Sequence, residues 1–135
     1  MWRRCLLSGV AGWLAATSPA LAFVAYVSNE KGNTVSVIDT DKWAVTATIK
    51  VGQRPRGIEF TRNGKFVLVA VGDDDKIEVI DVATQQVVDS LPSGPDPELF
   101  TQNAAGTILY VANENDNTVT VIDLEKRVRI GDVQV

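Results

Sequence analysis

The chain has 135 residues, of which 45% are apolar and 22% are charged, a composition typical of a folded globular protein. It contains no histidine and one cysteine, Cys5, so a Ser-His-Asp triad, a histidine-ligated metal or haem, and an internal disulfide are excluded within it. The formal net charge is −4, so the composition gives no reason to expect a nucleic-acid partner.

The first 22 residues have the three parts of a secretory signal peptide. Arg3 and Arg4 precede an apolar stretch over residues 5–16, and Ala-Leu-Ala follows at residues 20–22. We therefore expect residues 1–22 to be removed, which leaves a periplasmic or secreted chain with no membrane segment. An uncleaved anchor is disfavoured because glycine and proline residues interrupt the apolar stretch. The paired arginines leave Sec and twin-arginine export both open.

A segment of the mature chain recurs with a constant period. Residues 26–39 are similar to residues 110–123, and a looser copy covers residues 68–81. The interval is 42 residues both times, without an insertion. A period of this size in a sequence rich in β-branched residues is typical of propeller blades or solenoid arrays.

The middle repeat predicts four short strands. They cover Gly57–Thr61, Phe66–Val71, Lys76–Val82 and Val87–Leu91, and polar turns separate them. The first of these turns contains Asn63-Gly64, a strong hairpin signal between two apolar runs. Four antiparallel strands in each 42-residue repeat predict an all-β fold built of propeller blades.

The repeats are assigned to residues 23–52, 53–94 and 95–135, with three, four and four strands respectively. Both faces of the strands carry apolar residues, so each blade needs a neighbour on each side. Propellers use about 4–8 blades. We therefore expect about three blades of a longer ring of about seven, with the innermost strand of the first blade supplied from elsewhere.

The repeat sequence resembles a known type of propeller. The Tyr-Val-(Ser/Ala)-Asn opening and the Val-x-Val-Ile-Asp close resemble the YVTN-type β-propeller repeat, and the resemblance covers residues 23–135. Residues 51–57 and 93–100 are similar to a narrower group, the exported β-propeller proteins associated with PQQ-dependent alcohol catabolism. This resemblance implies an association with PQQ-dependent oxidation, and it implies no cofactor site in this chain.

Three aspartates end the third strand of their blades, when the innermost strand missing from the first blade is counted: Asp39, Asp81 and Asp123. Three carboxylates could converge on a metal, but an aspartate that opens a turn accepts hydrogen bonds from the backbone amides that follow it. Repetition at the blade period favours the structural role, because every blade needs this turn. The acidic run at residues 73–75 lacks the spacing of a calcium loop, so we expect a solvated turn there and no metal site.

Two arginines and two acids occupy equivalent connections between repeats. Arg54 and Arg56 join the first repeat to the second, and Asp96 and Glu98 hold the same positions one period later. Strand alternation places these connections around the expected mouth of the ring, where ligands commonly bind. The opposite charges either pair across neighbouring blades or leave the arginines to bind a small carboxylate ligand, for which PQQ is a candidate.

These features favour a non-enzymatic, periplasmic binding or accessory protein whose partner is a protein or a small carboxylate ligand. No catalytic residue is predicted, because histidine and mature cysteine are absent. Two alternatives stay open. The chain could be the N-terminal part of an oxidoreductase subunit whose cofactor ligands lie in other blades, or it could belong to a cell-surface structural array.

Overall fold

The computed structural model describes residues 23–135, so the signal peptide predicted for residues 1–22 lies outside the described residues. The described part contains eleven β-strands in three antiparallel sheets, joined by turns that include two single-turn 3-10 helices. None of the described helices is long and apolar enough to span a bilayer.

Each sheet is a simple meander, and we call the three sheets blades 1, 2 and 3. Blade 1 consists of β1 (Val24–Asn29), β2 (Thr34–Asp39) and β3 (Ala44–Lys50). Blade 2 consists of β4 (Pro55–Phe60), β5 (Phe66–Val71), β6 (Lys76–Asp81) and β7 (Gln86–Pro92). Blade 3 consists of β8 (Pro97–Gln102), β9 (Ile108–Asn113), β10 (Thr118–Asp123) and β11 (Val128–Gln134). The expected all-β fold, with three, four and four strands, is confirmed.

The predicted strand bounds in the middle repeat agree with the structure to within two residues, and the largest difference lies at β4. This strand begins at Pro55 instead of Gly57 because its first residues pair with β5 through a β-bulge between Pro55 and Ile58. A bulge inserts an extra residue into one strand, which the apolar pattern of the sequence does not reveal. A similar irregularity lies in β8 between Pro97 and Leu99.

The hydrophobic core consists of two layers, one between each pair of neighbouring blades. Along β5, Val67 and Val69 contact blade 1, whereas Leu68 and Ala70 contact blade 3. All four are almost fully buried, as the period-2 alternation of a strand requires for a sheet covered on both faces. Blade 2 is therefore enclosed by its neighbours, and its two faces hold the described residues together.

The innermost strands of blades 2 and 3 approach each other closely at Gly57. A Cβ atom added there would lie 2.7 Å from the carbonyl oxygen of Glu98 and 3.2 Å from the Cα atom of Leu99. Only glycine leaves room for this contact, because both neighbouring atoms belong to the backbone. The close approach brings Arg56 and Glu98, at the starts of these two strands, within reach of each other.

The outer face of blade 3 has no neighbouring sheet among residues 23–135. Leu99 is 67% exposed there, and Tyr110 and Val133 are also exposed. These positions correspond, one period earlier, to residues that blade 3 covers on blade 2. Blade 3 thus carries apolar residues on the face that is buried in blade 2. No sheet among the described residues covers them.

Candidate functional site: a charged cluster across three blades

The connections between blades are fixed in the same way at both places where they occur. The backbone amide of Arg54 donates to Asn33 Oδ1 at 3.0 Å, and that of Asp96 donates to Asp75 Oδ1 at 2.8 Å. Both carbonyl oxygens accept a 3.0 Å hydrogen bond from the turn that follows the second strand of the blade. Arg54 and Asp96 both adopt a φ of 55°, so the chain turns sharply before each innermost strand.

Arg54 pairs with one carboxylate of blade 2 and two of blade 3. Its Nε lies 2.8 Å from Asp73 Oδ1, and its Nη2 contacts Asp96 and lies 3.4 Å from Glu98 Oε1. Arg54 Nε, Asp96 Oδ1 and Glu98 Oε1 are buried without an aligned hydrogen bond to the described residues, so Coulombic attraction dominates these contacts.

Arg56 extends the pairing to blade 1. Its Nη1 lies 3.2 Å from Glu30 Oε1 of blade 1, and its Nη2 lies 2.6 Å from Glu98 Oε2 of blade 3. Arg56 and Glu98 both sit in the bulged parts of their strands, where an extra residue re-aims the side chain. One guanidinium on blade 2 thereby pairs with acids on both neighbouring blades.

The cluster is acidic as a whole. Asp96, Glu98 and Glu114 each place a carboxylate oxygen within 4.8 Å of the other two. Burial raises the pKa of Glu98, the nearby Glu114 raises it further, and the arginines act in the opposite direction. We call the following seven side chains the charged cluster: Glu30, Arg54, Arg56, Asp73, Asp96, Glu98 and Glu114. Two arginines against five carboxylates give a formal charge of −3.

The sequence left two interpretations for Arg54 and Arg56, and the structure places both arginines in ion pairs between blades. Asp96 and Glu98, which the sequence predicted at the same site, are their partners. A metal at the three clustered carboxylates would meet two guanidinium groups already paired with two of them, so the donor set is poorly suited to a cation. Binding of a carboxylate ligand by the arginines stays a prediction.

The three repeated aspartates accept hydrogen bonds from the turns that follow them. Asp39 Oδ1 accepts from two amides at 3.0 and 2.9 Å, and Asp123 Oδ1 does so at the same distances. Asp81 Oδ1 accepts from the amide of Thr84 at 2.7 Å. Hydrogen bonds to Lys42, Thr84 and Lys126 lower the pKa of the three carboxyls, because they favour the ionised form. The residues do not converge on one point, since each serves its own blade.

The acidic run at residues 73–75 is not a simple solvated turn. Asp73 pairs with the arginine described above, and Asp74 Oδ2 accepts from the amide of Gln53 at 3.1 Å. Asp75 Oδ1 fixes the connection before β8. Each carboxylate therefore bonds a different part of the inter-blade connections, which the sequence could not show because those partners are 19 to 21 residues away.

Three further acids were not named as site residues from the sequence, although strand alternation placed the turns that contain Glu30 and Glu114 on the same face as the connections. Glu30 and Glu114 join the charged cluster from the turns of blades 1 and 3. Glu78 is buried in β6, where Oε2 accepts from the amide of Gly52 at 3.0 Å and Oε1 pairs with Lys76 at 3.1 Å. Their equivalent places in the repeat were a usable signal for Glu30 and Glu114, whereas nothing in the sequence marked Glu78.

Comparison with known proteins gives matches among solved structures alone. No family model matches the chain, and no curated protein matches it. Hydrazine synthase from Kuenenia stuttgartiensis superposes with a TM-score of 0.78 and 24% sequence identity, over 83% of this chain and 32% of that one. The dihydro-heme d1 dehydrogenase NirN, in complex with DHE, superposes with a TM-score of 0.70 and 17% identity, over 89% of this chain and 26% of that one.

The chain thus spans a third or less of the length of these two structures. At this level of identity the likeness concerns the fold, and both structures contain a β-propeller. The three antiparallel sheets, the 42-residue period and these superpositions agree on the architecture. Residues 23–135 are therefore built as blades of a β-propeller.

Proposed function

We propose that the chain belongs to an exported, non-enzymatic β-propeller of the YVTN type that acts as a binding or accessory protein for PQQ-dependent alcohol oxidation. The observation that carries the proposal is the charged cluster, because it gathers acids from all three described blades at one end of the sheets. Surfaces of one charge sign steer oppositely charged partners and select among them.

The partner we favour is a protein with a basic surface. Both arginines of the cluster are already paired with carboxylates, so a free carboxylate ligand would have to displace Asp96 or Glu98. Glu30 and Glu114, in contrast, are exposed at the edge of the cluster. Excess negative charge with exposed acids at its border suits lysine or arginine side chains of a protein partner.

The test is binding to a PQQ-dependent alcohol dehydrogenase from the same organism, measured by surface plasmon resonance at two salt concentrations. Replacing Glu30 and Glu114 together by glutamine should lower the association rate and weaken its salt dependence. Glu125→Gln is the matched control, because Glu125 is exposed at the opposite end of blade 3. Equal binding by both variants, or none by the unmodified protein, would contradict a role of the cluster in recognising this enzyme.

Calorimetry with PQQ tests the small carboxylate ligand, with succinate as a simple dicarboxylate for comparison. If the arginines bind it, replacing Arg54 and Arg56 by alanine should weaken binding strongly, since charge-assisted hydrogen bonds contribute about 1.5–3 kcal/mol each. Unchanged affinity in the double variant would assign the arginines to ion pairing alone.

Export is tested separately by the intact mass of protein recovered from the periplasm. Cleavage after Ala22 gives a chain that begins at Phe23, without Trp2 or Trp13. A mass that retains these residues would contradict removal of the signal peptide, independently of any binding result.

An oxidoreductase subunit is the second candidate, since the names of both similar structures describe enzymes. This chain has no histidine, so a histidine-ligated haem would take its ligand from elsewhere. The absorption spectrum of the protein purified from its native source separates the two candidates. A haem band that copurifies with the chain would favour the oxidoreductase.

A further inference from the structure

An aromatic pair fills the space between blades 1 and 2 at the end opposite the charged cluster. The Tyr26 ring packs edge-on against the Phe60 ring, with centroids 5.3 Å apart and an interplanar angle of 85°. Burial raises the pKa of the Tyr26 hydroxyl, whereas the neighbouring side chain of Gln85 acts to lower it. Tyr26, Phe60 and Gln85 thus form one contact between the two blades.

One period later both aromatic residues are replaced. Leu68 stands where blade 1 has Tyr26, and Gln102 stands where blade 2 has Phe60. Gln102 turns to the backbone, where its Nε2 donates to the carbonyl oxygen of Phe60 at 2.8 Å. A cavity of about 530 Å³ lies beside Leu68 between blades 2 and 3. Its volume falls within the range of about 300–1,000 Å³ that is usual for small-molecule sites.

The floor of this cavity is apolar and the rim is charged. Phe66, Leu68 and Leu91 are among the side chains that form the floor. Arg127 stands at the position of Gln85 one period later, with its guanidinium carbon 5.8 Å from the centre of the Phe66 ring. It also pairs with Asp89, which lies outside the lining.

A second arginine, Arg62, lines the cavity from blade 2. The stem of Arg62 lies against Gly106, where a Cβ atom would come within 2.5 Å of Arg62 Cγ. Within residues 23–135, no carboxylate forms an ion pair with Arg62. Glu125 is the one acid among the lining residues, against the two arginines. Arg127 Nη1 is paired with Asp89, so the other N–H groups of Arg127 and the side chain of Arg62 are what this site offers to an anionic group.

We propose that this cavity binds a small aromatic carboxylate. The ring would lie between blades 2 and 3, over Leu68 and beside Phe66. This place is equivalent to the one that the Tyr26 ring fills between blades 1 and 2. The carboxylate would face Arg127, which replaces the glutamine that contacts the tyrosine hydroxyl in the preceding repeat, and Arg62. A planar carboxylate suits the fork of a guanidinium, and an apolar floor suits the ring. The site is separate from the charged cluster and does not depend on the proposed function.

The test is titration of the full chain with 4-fluorobenzoate, followed by fluorine NMR, and with benzoate by calorimetry. Leu68→Tyr restores the repeat residue and should abolish binding by filling the cavity. Arg127→Gln restores the other repeat residue and should weaken benzoate binding on the order of tenfold or more. Arg129→Gln is the matched control, since Arg129 pairs with Asp132 away from the cavity, and should leave binding unchanged.

A neutral probe checks the electrostatic part of the proposal. Benzamide keeps the ring but carries no charge, so it should bind on the order of tenfold more weakly than benzoate, with little response to Arg127→Gln. The proposal is overturned if the unmodified protein does not bind millimolar benzoate, or if benzamide and benzoate bind equally. Undiminished binding by a folded Leu68→Tyr chain would also overturn it. If that chain does not fold, the comparison of Arg127→Gln with Arg129→Gln decides.

Discussion

Replacing Arg54 by methionine tests how strongly the charged cluster holds blades 2 and 3 together. The side chains of Asp96 and Glu98 are only 11% and 14% exposed. Without the guanidinium, Asp96 loses its cationic partner, whereas Glu98 keeps Arg56 at 2.6 Å. Removing one partner of a buried ion pair lowers the free energy of unfolding by about 3–5 kcal/mol, and loss of the exposed contact with Asp73 adds about 0–1 kcal/mol. Because Arg54 is itself 26% exposed and water reaches the site, we expect the free energy of unfolding to fall by about 2–4 kcal/mol.

The assay is urea unfolding at pH 7, followed by far-UV circular dichroism. The dependence of the unfolding free energy on urea concentration should be equal in both chains, because it reports the surface exposed on unfolding. Lys126→Met is the control, because Lys126 is mostly exposed where it pairs with Asp123 and should cost less than about 1 kcal/mol. Combining Arg54→Met with Asp96→Asn should recover part of the loss, since no unpaired buried charge then remains. A loss below about 1 kcal/mol for Arg54→Met, or a double variant less stable than the single one, would refute the reasoning.

Three further predictions concern packing, titration and the exposed face of blade 3. Gly57→Ala should destabilise the chain by about 1–3 kcal/mol in urea unfolding through its clash with the backbone of blade 3, whereas Gly131→Ala, with open space around it, should change little. The pKa values of Asp39, Asp81 and Asp123 are lowered from 3.8 in the folded state. The ionised carboxylates therefore stabilise the fold above pH 3.8, and this stabilisation is lost as the pH falls through their lowered pKa values. Replacing all three by asparagine should therefore reduce the fall in Tm on acidification below pH 4, and an equal fall in both chains would contradict this. Residues 23–135 expressed alone should self-associate in sedimentation experiments through their uncovered apolar faces, whereas a compact monomer would show that three blades suffice.

The fold was predictable because its main constraint is local and periodic. A blade must bury both faces, so apolar residues alternate along strands such as β5 and recur every 42 residues. Turn chemistry added the hairpin at Asn63-Gly64 and the aspartates after the third strands. These signals depend on neighbours within a few residues, which is why the strands could be placed closely without knowledge of the blade packing.

The candidate site was predictable only in part, because its contacts join blades. The sequence identified Arg54, Arg56, Asp96 and Glu98 by their opposite charges at equivalent positions and offered ion pairs across neighbouring blades as one of two interpretations, but it could not decide between pairing and ligand binding. The choice depends on the bulges in β4 and β8 and on the close approach at Gly57. Neither feature changes the apolar pattern, so side-chain direction at the cluster became clear only with the structure.

The cavity beside Leu68 shows a second limit of sequence interpretation, since a departure from the repeat is visible long before its meaning is. Loss of an aromatic pair forfeits roughly 0.5–1.5 kcal/mol beyond the apolar area that it buries. Tyrosine stands at the equivalent position in the repeats before and after, so the repeat itself does not require leucine there. Keeping leucine there, together with an arginine on the rim, runs against stability, as binding sites commonly do. A ligand that fills the cavity would restore the loss, because binding to the folded state alone shifts the folding equilibrium in its favour. Leu68→Tyr fills the cavity from the protein side but does not restore the pair, because Gln102 stands where blade 2 has Phe60. We therefore expect the ligand-free protein to keep its stability while the stabilisation by benzoate is lost, a combination that simple damage to the core would not produce.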